Sequence, residues 1–182
     1  MVSRRSQIAA LLLCAGFVLG GATLERLSIE DMAQKATGIA RGRVLGSYAA
    51  PYGSRIYTHY KIGVSEWWKG GPTAFEDVVM PGGTAGSAQQ VEPGTPALVQ
   101  GGQYVLFLWR SRSGLTHVIG LSQGLFEVKR DGGGRLRATR KAATEPMFEP
   151  RTGLPVQDED IDIKLIELRQ RVAAALSARG QK

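Results

Sequence analysis

Alternation between apolar and polar positions is clearest over residues 55–66. Every second position there carries one of Ile56, Thr58, Tyr60, Ile62 and Val64. A period of two is typical of a strand with one buried face. The run 104–109 is instead almost continuously apolar, as expected of a strand that is buried on both faces. The pattern therefore predicts a half-buried strand over 55–66, closed by a turn at Trp67, and a central core strand over 104–109.

Other segments extend this prediction to a mainly β chain with a helix near each end. Glycine- and proline-rich turns separate further short strands predicted over 39–45, 75–80, 115–119, 125–130 and 135–139. Asp131-Gly132-Gly133-Gly134 predicts the hairpin turn between the last two of these. Residues 81–96 predict a long loop with room for a short strand at 89–92, and residues 140–157 predict irregular chain.

The two helices have different signals. Ser28-Ile29-Glu30-Asp31 has the form of a capping box and predicts a short helix over 29–36. Apolar residues at helical spacing predict a second, amphipathic helix over 158–178 that packs on the domain, with 179–182 as a disordered tail. Together with five to seven short strands, these helices predict a small barrel or sandwich over residues 23–157.

The first 22 residues have the pattern of a cleavable secretory signal. Arg4 and Arg5 precede an uncharged apolar run over 8–19, and Gly20-Gly21-Ala22 places small residues before Thr23. The run is shorter than the roughly 20 apolar residues of a transmembrane helix, although an uncleaved anchor is an alternative. We therefore predict a periplasmic or extracellular protein that contacts the membrane only in transit.

Cleavage before Thr23 changes the charge and removes the only cysteine. The formal charge of +7 falls to +5 when Arg4 and Arg5 leave, and Cys14 leaves with them. Attachment of a lipid at Cys14 is an alternative, which the leucines before it disfavour. The remaining domain is predicted to have no disulfide, although its compartment permits one. Its stability then depends on its core, which a domain of about 150 residues is large enough to form.

An ordered set of short motifs resembles a group of uncharacterised bacterial exported proteins. The motifs are Ile56-Tyr57-Thr58, Trp68-Lys69-Gly70, Pro81-Gly82-Gly83, Gly102-Gln103-Tyr104-Val105-Leu106-Phe107-Leu108 and Gly120-Leu121-Ser122-Gln123-Gly124. Over residues 28–130 their order is also similar to the netrin-like module of tissue inhibitors of metalloproteinases. That resemblance implies a small OB-like barrel, closed or partly open. It does not imply the inhibitors' mechanism, because the cysteine that they place at the N-terminus has no counterpart at Thr23.

Two patterns around Ser122 imitate hydrolase motifs. Residues 120–124 match G-x-S-x-G, but a nucleophile elbow needs a helix after the serine, and a strand is predicted there. His59, Asp77 and Ser122 follow the chain order of a chymotrypsin-type triad, but the chain is short for two barrels. We interpret Ser122 as part of a turn and predict no catalytic residues. An envelope hydrolase or protease-associated factor is the alternative.

Neither a metal nor a cofactor is predicted. A catalytic zinc needs about three protein ligands, and the chain after residue 22 offers only His59 and His117 and no cysteine. Asp158, Asp160 and Asp162 imitate the start of a calcium loop but lack the glycine and glutamate that an EF-hand requires. These acids are expected to cap the final helix.

Five residues are candidates for contact with a partner. Lys129, Arg135 and Arg137 are predicted to share one face of a hairpin, where they would attract a polyanion. Trp67 and Trp68 are adjacent, so they should point to opposite faces and at most one should be fully buried. Tryptophan is enriched among the residues that dominate binding energy at interfaces, so the other tryptophan is a contact candidate.

The sequence therefore favours a non-enzymatic exported binding module whose partner is an unidentified protein or a polyanionic envelope component. OB barrels often bind nucleic acid, but export argues against that partner. One alternative is the envelope hydrolase or protease-associated factor. The other is a surface protein that binds anions or polysaccharide.

Overall fold

The computed structural model describes residues 24–179. The signal predicted at 1–22 lies outside the described residues, as does most of the tail predicted at 179–182. The start of that tail is wrong by one position, because Arg179 is the last residue of a helix. Within 24–179, no helix has the length and apolar character needed to cross a membrane.

Thirteen strands and two helices make up the described part of the chain. In order they are β1 (Leu24–Glu25), α1 (Ile29–Lys35), β2 (Gly38–Tyr52), β3 (Arg55–Lys69), β4 (Phe75–Pro81), β5 (Gly83–Ala85), β6 (Ala88–Gln90), β7 (Gln103–Arg110), β8 (Thr116–Val118), β9 (Leu125–Arg130), β10 (Leu136–Arg140), β11 (Met147–Phe148), β12 (Pro155–Val156), β13 (Ile161–Lys164) and α2 (Leu165–Arg179). The predicted mainly β fold with a helix near each end is confirmed.

Eight strands form one mixed sheet in the order β13-β10-β9-β7-β2-β3-β4-β8. Strand β8 also pairs with β7. As a result, five strands form a barrel-like ring, in the order β7, β2, β3, β4 and β8. The ring is not a fully closed barrel. The prediction of a partly open barrel is confirmed. Strands β1, β11 and β12 form a small separate sheet, and β5 and β6 form a hairpin within the predicted loop.

Strands β2 and β3 are longer than predicted, with 15 residues each. Their antiparallel register has irregularities, among them one between Val44 and Gly46, and such bulges increase the local twist and bend of a strand. Because β3 continues to Lys69, Trp67 and Trp68 lie in a strand and not in the predicted turn.

Strand β7 separates two hydrophobic cores. Val105 and Phe107 face the core beneath the helices, whereas Tyr104, Leu106 and Leu108 face the interior of the ring. Each of these five side chains is at most 5% exposed. The prediction of a central strand that is buried on both faces is confirmed.

Helix α1 begins at the predicted capping box. The Ser28 hydroxyl accepts a hydrogen bond from the Asp31 N–H at 3.0 Å, and the Asp31 carboxylate accepts one from the Ser28 N–H at 3.3 Å. Both helices pack on the first core, where Met32 of α1 and Leu168 of α2 are completely buried.

The final helix begins later than predicted. Residues 161–164 are strand β13, antiparallel to β10, and α2 begins only at Leu165. The physical reason is a period of two: Ile161 and Ile163 pack against the core while Asp162 and Lys164 are exposed. The acids at 158, 160 and 162 therefore do not cap a helix but form ion pairs with basic residues.

Candidate functional site

Trp67 and Trp68, near the end of β3, point to opposite faces of the sheet, as predicted. Trp67 packs against the core inside the ring and Trp68 against the core beneath the helices. The Trp67 Nε1–H donates to the backbone carbonyl of Thr73 at 2.9 Å. The Trp68 Nε1 is buried and has no hydrogen-bond partner among the described residues. Trp68 therefore has a polar group that the fold leaves unused.

Trp68 lies in the wall of a groove of about 420 Å³, which we call the Trp68 groove. Its lining residues are Arg41, Glu66, Trp68, Arg135, Leu136, Lys164, Leu165, Ile166 and Arg169. The groove is located where β2 and β3 meet β10, β13 and the start of α2. It brings together two of the predicted contact residues, Trp68 and Arg135.

The strand register explains how the groove's polar residues come together. Arg41 of β2 lies opposite Glu66 of β3, and Glu66 and Trp68 are two positions apart on one strand, so they share a face. Strand β13 runs directly into α2, which places Lys164 and Leu165 side by side at the groove. The site is thus built mainly on regular elements.

Four cationic side chains and one carboxylate line the groove. The carboxylate is shared, because Glu66 Oε1 lies 3.4 Å from Arg41 Nη1 and Glu66 Oε2 lies 3.4 Å from Arg169 Nη1. Lys164 forms no hydrogen bond or ion pair with any described residue. Arg135 is paired outside the lining, with Asp131. The groove therefore has an excess of positive charge.

Two unpaired donors belong to residues of the groove. Arg41 Nε and Trp68 Nε1 are two of only four buried side-chain polar atoms without a partner in the described part of the chain. The Nη groups of Arg41 reach Glu66 and Gln103 only at 3.4 Å. A buried donor without an acceptor costs about 1–3 kcal/mol, and native proteins contain few of them. The arrangement is suited to a ligand that brings acceptor atoms.

The other two contact candidates of the β9–β10 hairpin, Lys129 and Arg137, are each paired with an acid. Lys129 and Arg137 lie directly opposite each other, so they share a face as predicted. Arg137 Nε donates to Asp162 Oδ1 at 2.8 Å, and Lys129 Nζ lies 2.8 Å from Glu127 Oε2. These carboxylates offset the positive charge, so this surface has mixed charge.

Of the three residues His59, Asp77 and Ser122, the structure brings only the first two into contact. His59 Nδ1 and Asp77 Oδ2 are 2.8 Å apart. Ser122 lies in the connection between β8 and β9, and no hydrogen bond joins it to His59 or Asp77 in the described part of the chain. A serine nucleophile needs its base within hydrogen-bond reach, so these three residues do not form a triad here.

The G-x-S-x-G segment is a turn followed by strand β9, as interpreted from the sequence. Gly120 and Leu121 have φ values of 60° and 57°, in the left-handed region that favours glycine. A Cβ at Gly124 would lie 2.9 Å from the carbonyl oxygen of Ile119. The turn directs Gln123 into the interior, where its side chain is completely buried. The glycines thus serve to place a structural glutamine.

A row of aromatic and histidine side chains lies across the ring. Neighbouring positions in the register are Tyr48, His59, Val79, His117 and Trp109. The Tyr48 and His59 rings stack with centroids 4.7 Å apart, and those of Trp109 and His117 with centroids 5.0 Å apart. Tyr48 is 59% exposed and Trp109 is 42% exposed. Val79, in the middle of the row, is only 1% exposed, so the row presents two separate exposed rings and not one continuous apolar patch.

Acidification should destabilise the fold through His117. Burial lowers the pKa of His117 below its ordinary value of 6.5, because its ring packs on Trp109 and Tyr57. The unfolded chain then binds a proton that the folded chain does not, so stability is lost as the pH falls below 6.5. Urea unfolding between about pH 7.5 and about pH 5 should depend less on pH in His117→Gln than in the wild type. A titration midpoint of His117 at or above 6.5 in NMR spectra would contradict this.

Metal ligands do not cluster in residues 24–179, where no group of three or more His, Cys, Asp and Glu side chains is placed to hold an ion. Comparison with protein-family models, curated proteins and solved structures finds no match to this chain. The netrin-like resemblance therefore stays a prediction.

The sequence predicts only part of the groove. Among its lining residues, Trp68 and Arg135 are predicted contact residues, whereas Arg41, Glu66 and Arg169 are not. Glu66 and Trp68 share a strand face by spacing alone, which is a signal that the sequence does contain. The approach of Arg41 and Arg169 depends on the strand register and on where α2 begins.

Proposed function

We propose that the protein is a non-enzymatic exported binding module and that the Trp68 groove is its ligand site. The observation that carries the proposal is the pair of buried N–H groups, Arg41 Nε and Trp68 Nε1, that have no acceptor. A ligand with acceptor atoms would remove part of the roughly 1–3 kcal/mol that each unpaired donor costs. Ligand binding thus accounts for two donors that the fold itself leaves unsatisfied.

Export rests on the sequence pattern of residues 1–22, which predicts a secretory signal. A module in the periplasm or outside the cell meets small molecules and envelope components there. The hydrolase alternative has less support, because Ser122 is not within hydrogen-bond reach of His59. The polyanion alternative would use Lys129 and Arg137, whose charges are offset by nearby carboxylates.

Trp68→Phe tests this proposal, because it keeps an aromatic ring and removes the Nε1–H. We expect the purified protein to retain a small anionic molecule, visible by native mass spectrometry, or to gain thermal stability with members of an anion library. Trp68→Phe should weaken that binding by roughly tenfold, because the ligand loses one hydrogen bond, the one from the Trp68 Nε1–H. Trp67→Phe is the matched control, because the Trp67 Nε1–H already donates to Thr73.

Two results would contradict the proposal. One is that no anion is retained or stabilises the protein. The other is that Trp67→Phe weakens binding as much as Trp68→Phe, which would place the ligand elsewhere. Hydrolysis of ester, peptide or glycoside substrates that disappears in Ser122→Ala would overturn the non-enzymatic part.

A further inference from the structure

The lining of the Trp68 groove is of two chemical kinds. Leu136, Leu165 and Ile166 are apolar and lie near the ring of Trp68, whereas the cationic residues Arg41, Lys164 and Arg169 line the same space. Ile166 is an exposed large apolar side chain, so it gains burial if something covers it. A purely ionic ligand would leave this apolar surface in water, and a purely apolar ligand would leave Lys164 without a counter-ion.

We propose that the groove binds a small amphipathic anion, with one apolar chain and one carboxylate head; this rests on the function proposed above. Charge complementarity selects the head, because Arg41, Lys164 and Arg169 share a single carboxylate, that of Glu66, in the lining. The size selects a single chain, because about 420 Å³ is near the lower end of the roughly 300–1,000 Å³ of small-molecule sites. A two-chain lipid or a long polysaccharide fits this space less well.

Glu66 acts as a resident counter-ion that the ligand head replaces. Its contacts with Arg41 and Arg169 are both 3.4 Å long, which exceeds the roughly 2.7–2.9 Å of strong charge-assisted hydrogen bonds. Its side chain is 28% exposed, so it has room to turn towards solvent. Because Arg41 Nε and Trp68 Nε1 are shielded from solvent, the head reaches them only after such a movement.

The guanidinium of Arg41 is suited to this exchange. Arginine presents its N–H donors in a planar fork that matches a carboxylate with two parallel hydrogen bonds. In the present arrangement the Nη groups have long contacts and Nε has none. A ligand carboxylate that bonds Nε and one Nη together satisfies the donor that Glu66 does not reach.

The first experiment uses decanoate as the probe, with acetate, octanoate and the neutral decyl maltoside for comparison. Isothermal titration calorimetry of the purified protein below the micellar concentration should give one decanoate per chain. Octanoate should bind roughly tenfold or more weakly, since each buried methylene changes affinity about fourfold. Acetate and decyl maltoside should each bind at least about tenfold more weakly than decanoate, because each lacks one of the two complementary parts.

The second experiment separates a ligand contact from a merely structural role. Arg41→Gln should weaken decanoate binding at least about tenfold. Glu66→Gln should tighten it, because the competing carboxylate is removed, and loss of a structural residue would not do so. Arg110→Gln is the matched control, because Arg110 is a largely exposed arginine that pairs with Glu76 at 3.2 Å and does not line the groove. If Arg41→Gln does not fold, Arg169→Gln replaces it.

Three outcomes would overturn the inference. The first is that decanoate does not bind while another anion binds in a Trp68-dependent manner, which would leave the proposed function intact. The second is an equal decanoate affinity in Arg41→Gln, Glu66→Gln and the wild type. The third is binding to anionic phospholipid vesicles but not to free decanoate, which would indicate a lipid surface as the partner.

Discussion

Arg140→Met should lower the free energy of unfolding by about 3–5 kcal/mol, because it leaves a buried carboxylate without its cation. The side chains of Arg140 and Asp158 are 5% and 2% exposed, and Arg140 Nη2 lies 2.6 Å from Asp158 Oδ1. The other oxygen of Asp158 accepts a hydrogen bond from the Ala143 N–H at 2.9 Å, which is not sufficient to solvate the charge. Urea unfolding at neutral pH, followed by circular dichroism, measures the loss.

The double variant Arg140→Met, Asp158→Leu is the informative control. Replacing both members of a buried ion pair by apolar residues removes the uncompensated charge, so part of the stability should return. The remaining loss reflects the Ala143 N–H and the Gln123 carbonyl, which no longer have their side-chain partners. Lys141→Met should have little effect, because the Lys141–Asp160 pair is exposed and such pairs contribute little. Equal losses in Arg140→Met and Lys141→Met would show that burial of the Arg140–Asp158 pair is unimportant.

The large loss of stability expected for Arg140→Met has a structural reason, because the Arg140 guanidinium joins three segments of the chain. Besides Asp158, its guanidinium donates to the backbone carbonyls of Gln123 at 3.2 Å and of Glu159 at 3.4 Å. Burial lowers the pKa of Arg140, and the neighbouring Asp158 opposes that shift. Arginine nevertheless stays protonated in proteins, so the pair remains ionic. It fixes the end of β10 to the turn before β9 and to the segment before β13.

Predictions from the sequence were correct for features that a short stretch of sequence determines on its own. A strand that is buried on both faces needs a continuous apolar run, which residues 104–109 provide. The capping box at Ser28 is likewise local, since its two hydrogen bonds span three residues. The start of α2 is different, because Ile161 and Ile163 alternate as in a strand while Ile161 and Leu165 also have helical spacing. Pairing with β10 decides between these two structures.

The candidate site was only partly predictable because its charges are paired over long sequence distances. Arg137 and Asp162 are 25 positions apart in the chain, as are Arg41 and Glu66. The basic hairpin therefore looked more positive in the sequence than it is in the fold. Conversely, the groove exists only because α2 places Arg169 close to Glu66, and this contact joins residues that are far apart in the sequence. Residue type indicated Trp68 as a contact, but its unpaired Nε1 depends on the packing around it.

Gln123→Met should lower the free energy of unfolding by about 2–4 kcal/mol, because it leaves one buried and one partly buried backbone group unpaired. The Gln123 Oε1 accepts a hydrogen bond from the Leu27 N–H at 2.8 Å, and its Nε2–H donates to the Glu25 carbonyl at 2.9 Å. Methionine has a similar volume, so the change removes the hydrogen bonds without leaving a large cavity. Urea unfolding gives the global loss, and hydrogen exchange at the Leu27 amide gives the local one.

The two measurements together distinguish global from local loosening. Residues 24–27 are held by Gln123, by the pairing of β1 with β11, by the Glu25–Lys35 ion pair and by the packing of Leu27 on the first core. Loss of the Gln123 hydrogen bonds should let this terminal segment open before the rest of the domain unfolds. In that case exchange at Leu27 accelerates more than the global stability predicts. Ser122→Ala, in the same turn, should change neither quantity, because no described residue forms a hydrogen bond with the Ser122 hydroxyl. Unchanged protection of Leu27 in Gln123→Met would show that the glutamine is not what holds this segment, and the G-x-S-x-G turn would then need another explanation.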